Sequence, residues 1–226
     1  MIKRIQLLSL SCDLKTEEGI RHFHNGHEYV EVGGIKWATM NVGAEKPTDC
    51  GLYFQWGDTQ GYTADQVGKG QKHFSWVDYK YSDGTILPSP IDITKYNYTD
   101  GKKVLDLEDD AARANWGGSW RMPTIEEMKS FRDAVSTEFK INYNGSGVNG
   151  LLCTDKTDSS KTLFFPAAGY AISGVMSVNR YGGYWSSSLY TSNTIVGGRD
   201  LFFDIAYCNI GICSRCYGFS VRGVIG

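Results

Sequence analysis

The fold is decided by the C-terminal stretch, residues 182–224, which has the sequence GGYWSSSLYTSNTIVGGRDLFFDIAYCNIGICSRCYGFSVRGV. Runs of aromatic and β-branched residues are separated here by Gly, Ser and Asn, a pattern typical of strands joined by tight turns. Within residues 200–206, Leu201, Phe203 and Ile205 alternate with the residues between them, so one set should face the core and the other should face outward. The stretch therefore predicts a C-terminal β meander.

Part of this stretch has an unusual composition. Residues Leu189 to Tyr217, called the biased segment below, contain no Lys, Glu, Gln, Met or Trp, and every such residue in the chain lies at or before Trp185. At the rate seen up to that point, roughly six would be expected in the segment. The five absent types cannot be reached from an Asn codon ending in a pyrimidine by changing its first two bases. Adenine-directed mutagenesis predicts this composition, and so does a Gly/Ser-rich meander with few long side chains.

Two helices are predicted before the meander. The first covers about residues 107–115, where acidic residues in the first turn suit the positive end of the helix dipole. The second begins after Pro123, and Thr124 and Glu127 form a Thr-x-x-Glu capping box. The apolar face of the second helix is expected to lie in the core and comprises Met128, Phe131 and Val135.

Strands are predicted on both sides of these helices. Residues 29–38 predict a hairpin that turns at Gly33 and Gly34. Further strands are predicted at residues 51–56, 162–170, 183–187, 200–206 and 218–225. These elements indicate an α+β fold with two helices and a C-terminal meander.

The domain organisation follows from where these patterns stop. Residues 1–26 lack a clear period and are interpreted as an N-terminal extension, and residues 27–226 are interpreted as one domain. Residues 58–104 form a long segment without predicted helices or strands. Its many aromatic residues indicate that it packs onto the domain, either as a structured insertion or as part of a binding rim.

Composition and spacing limit the classes of partner. A net charge of −2 gives no basic footprint for nucleic acid, and the apolar runs are too short to span a bilayer. The basic and apolar residues at 3–12 resemble a truncated lipoprotein signal that is too short and broken to predict export. Cys208, Cys213 and Cys216 match part of an iron–sulfur spacing without its fourth cysteine, so they are expected to be free thiols. No metal or cofactor is predicted.

Six blocks of the sequence resemble one bacterial family. They are NGHEYVEVGGIKWATMNVGA from Asn25, GLYFQWGDT from Gly51, DDAARANWGGSWRMPTIEEM from Asp109, FFPAAGY from Phe164, GGYWSSS from Gly182 and YGFSVRGV from Tyr217. Together they resemble the bacterial paralogous-domain family known as FISUMP, over residues 25–226. The resemblance implies a C-type lectin-like fold, related to formylglycine-generating-enzyme-like domains.

A subset of such domains are the variable proteins of diversity-generating retroelements, in which a reverse transcriptase copies a template and randomises its adenines. There the altered codons fall between a YWSSS-like block and a GxSVR-like block, which this chain matches at residues 184–188 and 218–222. The biased segment lies between the two matches. The resemblance therefore implies a C-terminal surface that is diversified.

The resemblance divides the residues into a frame and a display set. The residues expected to hold the frame are Trp116, Trp120, Arg121, Trp185, Leu201, Phe203, Val221 and Arg222. The residues expected to line the ligand-binding surface are Tyr190, Ser192, Asn193, Thr194, Asp200, Phe202, Asp204, Tyr207, Asn209, Gly211, Ser214, Arg215 and Tyr217. The expected anchors, large rigid rings with few rotatable bonds, are Phe202, Tyr207 and Tyr217. The residues expected to set charge preference are Asp200, Asp204 and Arg215.

The function implied is recognition of a protein or glycan ligand without a cofactor, by a protein that is on a cell surface, secreted or virion-associated. Two alternatives remain open: a cell-surface structural or adhesion domain without diversification, and an oxidase that acts through paired cysteines. The oxidase is the weaker alternative, because Cys213 and Cys216 lie in the biased segment and no histidine follows His73. We therefore expect a binding protein rather than an enzyme.

Overall fold

The computed structural model describes residues 11–16, 19–84, 93–193 and 197–226. These residues form an α+β fold of mostly antiparallel sheets with few helices, as the sequence predicts. The α-helices are α1 (Ala64–Gly68), α2 (Ala111–Trp116) and α3 (Ile125–Ala134), and 3-10 helices span Trp76–Asp78, Leu107–Asp109 and Tyr143–Gly145. Within the described ranges no helix is both long and apolar enough to cross a membrane.

The largest sheet has six strands and brings the C-terminal strand into its middle. In spatial order its strands, numbered along the chain, are β1 (Cys12–Thr16), β2 (Gly19–His24), β3 (His27–Val32), β4 (Ile35–Ala38), β14 (Val224–Ile225) and β5 (Trp120–Arg121). The predicted hairpin is confirmed, because Gly33 and Gly34 both have positive φ in the turn between β3 and β4. Val224 pairs with Trp37 on one side and Arg121 on the other.

Regular strands also occupy part of the stretch that was expected to be an N-terminal extension. β1 and β2 pair with each other, and β2 pairs with β3, so they lengthen the large sheet at one edge. The sequence of these strands has no apolar period. Contacts between cross-strand partners stabilise them instead, such as the stacking of the His22 and Tyr29 rings at a centroid distance of 5.5 Å. The signal-like residues 3–10 lie outside the described residues.

Two three-stranded sheets carry most of the remaining β structure. One contains β6 (Val135–Lys140), β7 (Gly150–Asp155) and β8 (Thr162–Pro166), and the short strands β9 (Tyr170–Ala171) and β10 (Val175–Met176) follow it. The other, called the C-terminal sheet, contains β11 (Gly182–Leu189), β12 (Gly197–Phe203) and β13 (Cys208–Ser214). The ranges 51–56 and 218–225, each predicted as one strand, do not form continuous strands. Single residues in them, such as Phe54 and Phe219, pair in isolated bridges.

The second predicted helix is confirmed as α3. The Thr124 side chain accepts a hydrogen bond from the Glu127 amide at 3.2 Å, and Glu127 accepts one from the Thr124 amide at 2.8 Å, which completes the capping box. The first predicted helix instead divides at Asp110, whose backbone is extended and whose side chain caps α2 by accepting a hydrogen bond from the Arg113 amide at 2.9 Å. The predicted apolar face of α3 and its end is buried, namely Met128, Phe131 and Val135.

The two faces of β11, the first strand of the C-terminal sheet, lie against different cores. Tyr184 faces the main core, which α3 and the large sheet enclose, whereas the next residue, Trp185, faces a second core beneath residues 58–104. The second core contains the buried rings of Trp56, Tyr79, Tyr81 and Tyr96. The expected packing of that segment onto the domain is confirmed, although Tyr98 is 60% exposed.

A fully buried arginine ties these cores to the C-terminus. The Arg222 guanidinium donates to Asn41 Oδ1 at 2.9 Å, to the Ala38 carbonyl at 3.0 Å and to the Phe164 carbonyl at 3.1 Å. It also lies 4.8 Å from the Phe165 ring centroid. Burial lowers the pKa of Arg222 to about 10, so the side chain is charged at neutral pH. Its partners are neutral oxygens and a ring on separate elements, so their positions depend on this one side chain.

Replacing Arg222 with Leu should destabilise the fold severely. The Arg222→Leu variant leaves three buried acceptors without a donor, so we expect the free energy of unfolding to fall by about 3 kcal/mol or more. Urea unfolding followed by tryptophan fluorescence measures the loss. The control is Arg180→Leu at an exposed arginine, which should change stability by less than about 0.5 kcal/mol. Equal stability of the two variants would contradict the structural role of Arg222.

Candidate ligand-binding surface

The outer face of the C-terminal sheet is the most suitable surface for a ligand. Leu201 and Phe203 of β12 point into the main core and are fully buried. Asp200 and Phe202 alternate with them and belong to the other face, as the sequence predicts. Ile205 differs from the prediction: it lies beyond the end of β12 and is 75% exposed, so the alternation does not continue to it.

A row of five aromatic rings runs along this outer face. In spatial order the rings are Tyr207, Phe202, Tyr181, Tyr170 and Tyr217, and neighbouring centroids lie between 5.9 and 6.3 Å apart. The Phe202–Tyr181 and Tyr170–Tyr217 pairs are stacked, and the other pairs meet edge to face. Four of the rings are half-buried, and Tyr207 is 57% exposed. The row is therefore held by ring contacts and still offers apolar area to a ligand.

Three adjoining depressions follow the aromatic row and together form what we call the C-terminal groove. Their volumes are about 230, 200 and 260 Å³. Tyr181 and Cys213 line both the first and the second depression, and Ile172 and Tyr217 line both the second and the third, so the three are continuous. Trp76 and Val77 close the far end, which gives residues 58–104 a part in the rim as well as in the core.

The floor of the first depression contains a buried carboxyl group. Asp200 is 2% exposed, and its Oδ1 atom accepts no hydrogen bond from any residue that the structure describes. Burial raises the pKa of Asp200 to about 7, and the charge of Arg199 opposes this shift only partly. Arg199 belongs to the other face of β12, where its guanidinium stacks 4.8 Å from the Tyr190 ring centroid.

The structure brings six of the predicted display residues to this surface. Five line the groove, and Tyr207 extends the aromatic row at one end. The five groove residues are Asp200, Phe202, Gly211, Ser214 and Tyr217. They come from β12, β13 and the loop after β13, so residues up to seventeen positions apart in sequence share one surface.

Other predicted residues lie around the sheet without lining the groove. Tyr190 contacts Arg199 on the other face, and Ser192 and Asn193 lie in the turn after β11. Asp204 organises the turn before β13, where its Oδ1 accepts backbone amides at 2.7 and 3.1 Å. Asn209 is exposed and accepts a hydrogen bond from Arg132 at 3.0 Å. Thr194 lies outside the described residues.

Arg215 is placed in the core instead of on the surface. It is fully buried, and its guanidinium lies 5.6 Å from the ring centroids of both Trp56 and Tyr79. It also donates to the Tyr96 carbonyl at 3.1 Å. The expectation that Arg215 sets charge preference for a ligand is corrected accordingly, because the aromatic cage from residues 58–104 covers the side chain.

The groove also contains residues that the sequence prediction missed. Tyr170, Ile172 and Tyr181 line its middle, and Trp76 lines its far end. All four lie outside the biased segment, so its composition gave no signal for them, although Trp76 belongs to the aromatic residues of 58–104 for which a binding rim was one of the two interpretations. Tyr170 is the last residue of the FFPAAGY block and Tyr181 immediately precedes GGYWSSS. For these two residues, the position in or beside a recognised block was the sequence signal.

The ionisable groups near the groove do not form a reactive pair. Burial raises the pKa of Cys213 to about 12 and that of Cys216 to about 11, so both are protonated thiols at neutral pH. The six cysteines of the chain are all free. These thiols add apolar surface to the groove in their neutral form.

One group of carboxylates elsewhere has metal-like spacing. The carboxylates of Asp106, Glu108 and Asp109 have oxygen atoms within 4.8 Å of one another. Lys95 Nζ lies 2.8, 2.9 and 2.5 Å from these three side chains. Lys80 also pairs with Asp109 and Lys102 with Asp106, so ammonium groups already neutralise these carboxylates, and we interpret the cluster as an ion-pair network.

Comparisons of the chain with protein-family models, with curated proteins and with solved structures gave no match. The resemblance of its sequence blocks to the bacterial paralogous-domain family therefore stays a prediction.

Neutralising Asp200 should stabilise the protein at alkaline pH. The folded pKa is about 7 against an ordinary value of 3.8, so between these values the folded state keeps a proton that the unfolded state has lost. Stability attributable to Asp200 is thus full below about pH 4 and falls as pH rises to about 7, by on the order of 4 kcal/mol at most. The Asp200→Asn variant should melt at a higher temperature than the original protein at pH 8.

The same comparison at about pH 2.5, well below the ordinary value of 3.8, should show almost no difference between the two proteins, because Asp200 is then protonated in both states. Thermal unfolding followed by circular dichroism at several pH values measures the effect. Asp65→Asn, at an exposed carboxylate on α1, is the matched control and should gain nothing at pH 8. A pH-independent melting difference for Asp200→Asn would contradict the assigned ionisation.

Proposed function

We propose that the protein is a ligand-binding protein whose C-terminal groove is an exchangeable recognition surface carried by a C-type lectin-like frame. The observation that carries the proposal is the division of the biased segment into two sets of side chains. Leu201 and Phe203 are fully buried, whereas Phe202, Tyr207 and Tyr217 belong to the half-exposed aromatic row. Substitutions in the second set change the surface and leave core packing intact.

The composition of this surface suits recognition of a protein or glycan. Tyr and Phe provide large contact areas and have few rotatable bonds, and Ser, Gly and Asn provide adaptable hydrogen bonds. Buried aromatic anchors each contribute about 2 kcal/mol or more in protein interfaces, so a row of five rings is sufficient for specific binding. The groove is open and shallow, which suits an extended chain or a surface loop of a ligand.

The residues that the resemblance assigns to the frame have surroundings that suit that role. Trp120, Trp185, Val221 and Arg222 are fully buried, and Leu201 and Phe203 are buried beside them. Trp185 Nε1 donates to the Phe54 carbonyl at 2.8 Å, and Arg121 pairs with Glu127 of the α3 capping box. Such contacts fix backbone that the groove residues share, which supports a frame with variable side chains.

The proposal is tested first on the coding DNA. We expect a second, near-identical copy of the DNA for residues 184–222 close to the gene for a reverse transcriptase. The two copies should differ only at adenines of the second copy, in codons for outward-facing residues such as Phe202 and Tyr217. Identical codons are expected for Leu201 and Phe203. Differences spread over the buried codons, or absence of any repeat, would overturn diversification.

A displayed library tests recognition directly. The library carries random codons that end in a pyrimidine at five positions together, and we expect the fold to tolerate them. The positions are Ser192, Phe202, Tyr207, Asn209 and Tyr217. We expect most members to fold, with protease resistance near that of the original chain, and the pool to yield binders to unrelated proteins or glycans. The matched control library randomises the buried positions Trp185, Leu201 and Phe203 and should lose folding. Equal tolerance in the two libraries, or a folded groove library without binders, would count against an exchangeable surface.

A further inference from the structure

We infer that the C-terminal groove, in its present sequence, selects ligands that present a cationic ammonium or guanidinium group to Asp200. This assignment rests on the proposed function and names the ligand chemistry of the same site. Its basis is a carboxyl group that is 2% exposed, lines the first depression and has a buried Oδ1 without a hydrogen-bond donor among the described residues. Buried polar groups are almost always paired within a protein, so an unpaired one in a groove indicates a partner supplied from outside.

The groove itself supplies no positive charge to this carboxyl group. The first depression is lined by Tyr181, Asp200, Phe202, Gly211, Ile212 and Cys213. The nearest basic residue along the strand, Arg199, stacks on Tyr190 at the other face of the sheet. A cationic group of a ligand would therefore gain a charge-assisted hydrogen bond in surroundings from which water is largely excluded.

Gly211 allows Asp200 and Phe202 to occupy their positions in the depression. It lies directly across from Asp200 in the β12–β13 register. A Cβ atom at Gly211 would lie 2.8 Å from Asp200 Oδ1 and 2.8 Å from the Phe202 ring, closer than real Cβ contacts allow. Any larger residue would displace the carboxyl group or the ring. The pairing of a glycine with a buried aspartate thus lets the carboxyl group and the Phe202 ring keep their positions in the depression.

Aromatic rings flank the same position. Phe202 and Tyr181 stack with centroids 6.1 Å apart and line the depression together with Asp200. Aromatic faces attract cations, most strongly where water is excluded, and they also pack against the methylene groups of a Lys or Arg side chain. An acidic floor with aromatic walls thus favours a cation attached to an apolar stem over a neutral group of equal size.

The other titratable groups around Asp200 do not compete with a ligand near neutral pH. Burial raises the pKa of Tyr181 and of Cys213, so both are uncharged there. Trp185, which faces Asp200 across β11, does not titrate. The remaining charge beside Asp200 is that of Arg199, which points to the opposite face. Loss of binding at lower pH is therefore expected to follow protonation of Asp200.

The test compares a charged peptide with its neutral isostere. The probes are N-acetyl-Tyr-Arg-amide and N-acetyl-Tyr-citrulline-amide, added at pH 8 to the isotope-labelled full chain while the amide NMR signals of Gly211 and Cys213 are followed. We expect the arginine peptide to bind at least about tenfold more tightly than the citrulline peptide. The pKa of Asp200, followed by carboxyl carbon NMR, should fall when the arginine peptide is bound.

The control variants change a side chain by one heavy atom or one methyl group. Asp200→Asn should abolish the preference, so that both peptides bind equally, and Gly211→Ala should weaken binding of the arginine peptide by displacing the carboxyl group or the Phe202 ring. Asp65→Asn, which makes the same charge change on α1, should keep the preference. A guanidinylated chitosan dimer, which stays charged at pH 8, and its N-acetylated form provide a second pair of probes. A stronger preference within this pair than within the peptide pair assigns the cation to an amino sugar instead of a basic side chain.

Equal binding of the two peptides to the original chain, retention of the preference in Asp200→Asn, or no shift of the groove amides with either peptide would each overturn the cation assignment. The proposed function fails by a different result, namely a folded groove library that yields no binders. A library that yields binders together with equal peptide affinities removes the assignment of Asp200 and leaves recognition by the groove intact.

Discussion

The buried guanidinium of Arg222 is the interaction on which the rest of the structure depends. A charge in a protein interior is tolerated only when its donors are satisfied, and here the acceptors are Ala38 and Asn41, at and just after the end of β4, and Phe164 on β8. Asn41 also donates to the Tyr184 hydroxyl at 3.3 Å, which links the network to the first strand of the C-terminal sheet. The network therefore fixes the position of the C-terminal sheet relative to the last residues of the chain, which include β14 of the large sheet.

Fixing the sheet from its inner face leaves the outer face available for variation. The side chains of a strand alternate, so the same seven residues of β12 supply core packing and groove lining. Substitutions on the inner face disturb the main core, whereas Asp200 and Phe202 on the outer face line the groove. In the proposed function, stability and recognition therefore depend on different faces of one strand. The packing of the rest of the domain offsets the free energy that burial of the unpaired Asp200 carboxyl group costs.

Several elements were predictable because their signals are local. The α3 capping box, the two-glycine hairpin and the alternation around Leu201 each depend on residues a few positions apart. Non-local pairing limited the rest. The sequences of β1 and β2 have no apolar period, and these strands are positioned by cross-strand contacts that begin at β3. The helix predicted at 107–115 is interrupted because Asp110 is the N-cap of α2. The groove was half-predicted, since Tyr170, Ile172 and Tyr181 come from outside the segment with the unusual composition.

The sequence by itself determined the α+β class, the second helix, the core-facing positions of Leu201 and Phe203, and the limits of the segment with the biased composition. Only the tertiary structure decided which residues of that segment share a surface. Arg215 and Asp200 have the same local signal of a charged residue in the biased segment. Arg215 is enclosed by aromatic rings more than a hundred residues away in sequence, whereas Asp200 lies beneath a glycine on the neighbouring strand. Burial is a property of everything that packs against a side chain, and neighbours in sequence contribute only a small part of it.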